Sequence, residues 1–157
     1  MPKFKDTTPV PHSPEQMFDL VADVERYPEF LPMCEALRVR ERRERDGKTM
    51  LVADMTVGYK MIRETFTSRV LLKPEENAID VSYLEGPFRY LDNRWTFEPR
   101  DDGGCDVIFF IDYEFKSRTL GMLMGTMFDR AFHMFSRAFQ KRAMEVYGEP
   151  RRENAVG

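Results

Sequence analysis

Catalysis and metal binding need side chains that can ligate, attack or carry a proton, and this chain places few of them together. Cys34 and Cys105 lie far apart and belong to no Cys-x-x-Cys or Cys/His pattern. Neither a disulfide framework nor a structural zinc is therefore expected, and a reducing cytoplasm is the simplest setting. His12 precedes a helix start and His133 falls on the polar side of a helical wheel. The sequence contains no Ser/His/Asp or Cys/His arrangement, no metal-ligand spacing and no glycine-rich phosphate loop. The expectation is no catalytic residue, no metal and no catalytic cofactor. A cavity enzyme would need an acid or base within hydrogen-bond reach of its substrate. Glu64 and Tyr113 are the one pair that could supply it.

Residues suited to binding are better represented. By strand alternation Asn93 falls between Leu91 and Trp95, and Glu64 and Ser68 share a face with Ile62, Phe66 and Val70. Polar groups on a dry face need partners. A ligand carbonyl could accept from the Asn93 amide or the Ser68 hydroxyl; a bulge that turns them outward is the alternative. Tyr59, Tyr83 and Tyr113 can present a hydroxyl from an apolar wall. Candidate ligand contacts are Tyr59, Phe66, Leu91, Asn93, Trp95, Ile111, Tyr113, Met124, Phe128, Phe132 and Phe135. Ordinary core packing is the competing use for the apolar ones.

The elements that must position these residues follow from periodicity. The chain has 157 residues, 42% of them hydrophobic and 13% aromatic, enough for one sizeable core. Residues 1–148 read as one soluble ligand-binding domain, and residues 149–157 as a disordered tail. A short first strand leads to Ser13-Pro14-Glu15-Gln16, a capping box with proline at the first helical position. Residues 27–32 hold two prolines and suggest a second small helix ending in a turn, which would flank the mouth of any cavity. Residues 35–116 alternate with period two, punctuated by Asp46-Gly47, Pro74, Gly86-Pro87 and Gly103-Gly104, as in an antiparallel meander. Residues 119–147 contain no proline and keep a 3.6-residue period. Leu120, Leu123, Met124, Met127, Phe128, Ala131, Phe132, Phe135, Ala138, Phe139 and Val146 share one sector of that helix. Gly121 and Gly125 are expected to let it approach a strand closely.

A twisted sheet curls and a long helix does not, so the two should touch near the helix ends and part at its middle. The fold expected is α+β: a curved antiparallel sheet of six to seven strands gripping one long C-terminal helix, with two short helices after the first strand. That order of elements is the helix-grip, or START-like, arrangement.

Four stretches are more particular. They are Tyr27-Pro28-Glu29-Phe30-Leu31-Pro32-Met33-Cys34, Leu84-Glu85-Gly86-Pro87-Phe88-Arg89 with Trp95 after it, Tyr113-Glu114-Phe115-Lys116-Ser117, and Ala138-Phe139-Gln140-Lys141-Arg142-Ala143 with Tyr147-Gly148. Together they resemble the coenzyme-Q-binding START-domain family, which is polyketide-cyclase-like and includes bacterial ribosome-association toxins. The resemblance implies non-catalytic binding of ubiquinone, or a similar polyprenyl lipid, in support of respiratory electron transport. It also implies a cytoplasmic protein with transient, peripheral contact at the inner membrane.

Charge bears on the partners. A net charge of −3 argues against DNA binding. Arg38, Arg40, Arg42, Arg43 and Arg45 form one basic run, interleaved with Glu41 and Glu44. It reads as the solvated face of a hairpin. In the alternative function, inhibition of ribosomal subunit association, it would be the contact with the large subunit. A polyketide cyclase or aromatase acting in the same cavity is the enzyme alternative.

Overall fold

The computed structural model describes residues 3–149. Strand β1 (Lys3–Val10) leads into helix α1 (Pro14–Ala22) and a 3-10 segment (Val24–Glu29). Six strands follow: β2 (Cys34–Arg45), β3 (Lys48–Tyr59), β4 (Ile62–Lys73), β5 (Ala78–Glu85), β6 (Phe88–Pro99) and β7 (Cys105–Phe115). Helix α2 (Arg118–Tyr147) closes the fold. All seven strands form one antiparallel sheet in the order β1-β7-β6-β5-β4-β3-β2. This is the expected helix-grip architecture. Of the tail expected to be disordered, residues 150–157 lie outside the described residues.

Local chemistry sets the element boundaries. The Ser13 hydroxyl accepts from the Gln16 amide at 3.1 Å, and the Gln16 side chain accepts from the Ser13 amide at 3.0 Å. Both halves of the capping box thus satisfy free helix-end donors. Asp46 and Gly47 have φ of 51° and 77°, the paired positive values that a tight hairpin turn requires. Gly86 has φ of 146°, and a Cβ there would lie 2.6 Å from the Phe66 Cβ; only glycine fits this start of the β5–β6 turn.

Helix α2 is about 45 Å long at 1.5 Å per residue, with Ser117 capping the Leu120 amide. It packs on α1, β1 and β7. At its C-terminal end the Tyr147 hydroxyl donates to the Gln16 carbonyl, and His12 Nε2 donates to the Gly148 carbonyl, both at 2.9 Å. His12 is therefore a buried structural donor. Near the other end the Phe128 ring sits 5.3 Å from that of Phe115. Contact continues between them: Phe132 packs against Phe109 and Phe4, and Ser136 donates to Asp6 at 2.8 Å.

That continuity refines one expectation. Sheet and helix do part beside mid-helix, where Phe128, Phe132 and Phe135 line a hollow, but only to one side. The helix follows the β1–β7 side, and the inner face of β3, β4 and β5 curves away from it. Leu123 and Val146, assigned to the buried sector, are 58% and 52% exposed: Leu123 sits at the sector's margin, and Val146 lies in the last turn, one residue before the helix ends. The glycines do not serve close packing either. A Cβ on Gly121 would make ordinary contact with Phe115 at 3.8 Å, and one on Gly125 would meet nothing within 4 Å.

Glycine in a helix interior costs about 1 kcal/mol relative to alanine, and at position 125 nothing offsets that cost. Gly125→Ala should therefore raise the unfolding free energy by about that amount, measured by urea denaturation. An unchanged or lower midpoint would mean that the position needs its flexibility.

Candidate functional site

The sideways gap forms a cavity of about 130 Å³, against the roughly 10–15 Å³ needed for a single water. One wall is the inner face of the sheet, from Leu37 on β2 through Ala53 and Met55, Phe66 and Val70, Ile79 and Val81, and Leu91 to Phe109 and Ile111. The other is α2, through Phe128, Ala131, Phe132 and Phe135. Val24, Tyr27, Leu31, Pro32 and Met33 close one end. Residues 27–33 therefore flank the cavity, as expected of this fold.

Two small residues explain why space remains here. Ala53 on the sheet and Ala131 on the helix are both 4% exposed and both line the cavity. Larger side chains would fill the hollow, as Phe132 and Phe109 do on the β7 side.

Of the candidate contacts, Phe66, Leu91, Asn93, Trp95, Ile111, Phe128, Phe132 and Phe135 line this space. Tyr59, Tyr113 and Met124 do not. Tyr59 ends β3 at the hairpin tip, 39% exposed, with the Lys60 ammonium 5.2 Å from its ring. Tyr113 is enclosed by the rings of Phe88, Phe115, Phe128 and Phe132. Met124 is fully buried in the main core near the start of α2. The Tyr83 hydroxyl accepts from the Phe88 amide at 3.0 Å and so serves the β5–β6 turn. Ala53, Met55, Ala131, Cys34 and Ser68 line the cavity without having been among the candidate contacts, although alternation had singled out Ser68.

Polar atoms on the walls are few. Asn93 and Ser68 do face inward, 9% and 5% exposed; β4 carries a register shift between Thr67 and Ser68, but it does not turn Ser68 outward. The Asn93 side-chain nitrogen, however, donates to the Phe110 carbonyl on β7 at 2.8 Å and is already engaged. Ser68 Oγ is the one buried side-chain nitrogen or oxygen among the described residues without a hydrogen-bond partner. The Tyr27 hydroxyl donates to the Val21 carbonyl, and burial raises its pKa far above the usual phenol value. Burial likewise pushes the Cys34 thiol up to about 11.

Glu64 and Tyr113 are not brought together. They sit on β4 and β7, three strand spacings or about 14 Å apart, and neither lines the cavity. Among the described residues no cluster of three or more His, Cys, Asp or Glu is placed to hold a metal. No helix among them is long and apolar enough to cross a membrane.

The end of the cavity formed by residues 27–33 is tied to the helix. Arg142 on α2 pairs with Glu29 at 2.6 Å and lays its guanidinium 5.1 Å from the centre of the Phe30 ring. The Arg26 and Arg142 guanidiniums hold the Glu29 carboxyl below its usual range. Both partners reach solvent, so this clasp is weak and reversible.

Residues 10–140 match the model of the family described as polyketide cyclase / dehydrase and lipid transport. The chain is 39% identical over 140 residues to the ribosome association toxin RatA of Vibrio cholerae, covering 89% of this chain and 94% of the toxin. It is 31% identical to a mitochondrial coenzyme Q-binding protein homolog of Xenopus laevis, covering 85% of this chain and 54% of that protein. The solution structure of the 18 kDa protein CC1736 from Caulobacter crescentus superposes with a TM-score of 0.79 at 34% identity. That match covers 94% of this chain and 99% of the other.

If the hollow is real room, enlarging a wall residue should do the opposite of what it does in a packed core. Ala131→Leu should stabilise the free protein by about 0.5–2 kcal/mol, as cavity filling does, and abolish uptake of an apolar fluorescent probe. In a filled core the same change costs about 1–3 kcal/mol, so a lower melting temperature would refute the cavity. Both thiols are buried, and burial pushes Cys105 up to about 12. Protonated thiols are poor nucleophiles. Neither cysteine should react appreciably with a disulfide reagent at pH 8 until the protein is unfolded; rapid labelling of folded protein would show the cavity end standing open.

Proposed function

We propose that this chain, which belongs to the polyketide cyclase / dehydrase and lipid transport family, binds an apolar small molecule without transforming it. The observation that carries this reading is the hollow between α2 and the β3–β5 face, walled almost wholly by apolar side chains. Such a wall gains about 25 cal/mol for each Å² of apolar ligand surface removed from water, before the costs of association. Aromatic rings from Trp95, Phe109, Phe132 and Phe135 suit a flat ring.

The ligand class we favour is ubiquinone or a related polyprenyl lipid, carried in support of respiratory electron transfer. Similarity to the coenzyme Q-binding homolog supports it. The space is small for a long tail, so the head group would lie inside and the tail would leave between α2 and the half-buried residues Met33, Leu37 and Met55. The separation of Glu64 from Tyr113 favours carriage over cyclase chemistry.

A second reading, association with the large ribosomal subunit, draws on similarity to the toxin and on one surface feature. Strand β2 is a free sheet edge and carries the arginine run, exposed from Arg40 to Arg45. Arg40 pairs with Asp54 and Arg43 with Glu41, while Arg42 has no acidic partner within salt-bridge distance among the described residues.

Purified protein extracted with organic solvent and examined by mass spectrometry should yield a polyprenyl quinone; recovery of a polyketide instead would restore the enzyme reading. The ribosome reading is tested by salt-dependent cosedimentation. If it holds, changing Arg40, Arg42 and Arg43 to Glu removes cosedimentation and leaves quinone recovery untouched. If the ligand-free protein does not sediment with ribosomes at low salt, that reading ends.

A further inference from the structure

The hydrogen-bond state of the cavity wall narrows the ligand further, given the carrier reading above. Ser68 Oγ is buried, aimed into the cavity and without a protein partner. An unmatched buried hydroxyl is unfavourable, and each such group in a folded protein calls for an explanation. The neighbouring strands do not supply one. Opposite Ser68 on β3 stands Ala53, and opposite it on β5 stands Tyr83, whose hydroxyl is engaged at the Phe88 amide.

Asn93 supplies the second group. A carbonyl can only accept, so the Asn93 atom facing the Phe110 carbonyl must be the amide nitrogen. Its Oδ1 then takes no part in the side-chain bond that engages Asn93; unlike Ser68 Oγ it is not fully shut off from solvent, and Asn93 lines the cavity. Ser68 faces Tyr83, and Asn93 faces Val81, two residues away on the intervening strand. Two strand spacings and two residues place their Cα atoms about 12 Å apart. That is too far for one water to bridge, and a buried water needs two to four polar partners. A ring with a polar atom on each side fits the span.

The two groups are not equivalent. Ser68 can donate or accept, whereas the free oxygen of Asn93 only accepts. We propose that Ser68 and Asn93 form the head-group site of this cavity, and that the site selects a ring bearing a hydroxyl, a hydroquinone or phenol, over its oxidised carbonyl form. The hydroxyl donates to Asn93 Oδ1, and the polar atom across the ring pairs with Ser68. A quinone leaves Asn93 Oδ1 facing a second acceptor.

Calorimetric titration of the full chain with three tail-matched compounds tests this: a short-tailed hydroquinone kept reduced, the corresponding quinone, and an alkylbenzene with no oxygen. Trp95, the single tryptophan, lines the cavity, so its fluorescence reports whether each compound enters. We expect the hydroquinone to bind about tenfold more tightly than the quinone or the alkylbenzene, the order of one well-made buried hydrogen bond. Asn93→Leu should remove that preference while leaving alkylbenzene affinity unchanged. Ser68→Ala should weaken the hydroquinone and the quinone but not the alkylbenzene, and raise the melting temperature of the free protein, because it deletes an unpaired group without changing the fold. Equal affinity for the three compounds, or preference for the quinone, overturns the head-group assignment while carriage of apolar molecules stands. If none of the three binds, both fall. A lower melting temperature for Ser68→Ala would show that the hydroxyl has a protein partner after all, and the assignment would be withdrawn.

Discussion

The structure turns on a rigid helix that a curved sheet supports along one side only. Helix α2 lies on β1 and β7 through Phe4, Phe109, Phe128 and Phe132 and is tied at its end to α1. On the other side, β3, β4 and β5 curve away because each strand is rotated against its neighbour. The helix cannot follow both halves of the sheet. The open half keeps its space because the residues that could fill it, Ala53 and Ala131, are small. Supporting the helix on β7 and leaving a hollow beside it are two results of one geometric mismatch.

That mismatch also governs the chemistry inside. A wall built from alternating strand residues and one helix face is almost entirely apolar, and the few polar atoms on it are already satisfied, with two exceptions. Tyr27 spends its hydroxyl on a backbone partner, and the Asn93 nitrogen is spent on Phe110. Ser68 Oγ and Asn93 Oδ1 remain. A site of this kind can orient a ring but has little with which to move protons or stabilise developing charge, which fits carriage better than turnover. The exposed clasp between Arg142, Glu29 and Phe30 places the reversible part of the wall at the end where residues 27–33 meet the helix.

Much of the site was legible because strand alternation names faces reliably. Phe66, Leu91, Asn93 and Trp95 were assigned to the dry face from spacing alone, and they occupy it. Tyr59 failed for a local reason: alternation continued to the last residue of β3, where the hairpin tip had already left the core. Tyr113 and Met124 failed for a tertiary one. Both are buried, but on the β7 side, where helix and sheet meet. Ala53 and Ala131 were not assigned to the site because a small residue announces nothing by itself; its meaning depends on what stands across from it.

The sequence alone determined the order of elements, the capped helix start, the hairpin turn at Asp46-Gly47, and which faces of the strands and of α2 are apolar. Those features depend on neighbours within a few residues, through period, capping and permitted φ. Tertiary structure alone decided which side of the sheet the helix follows, and hence where the hollow lies. It also decided which polar atoms facing that hollow are left without partners. Those outcomes depend on how an entire curved surface meets a rod about 45 Å long, a relation between residues more than a hundred positions apart, such as Asp6 and Ser136, that no local spacing records.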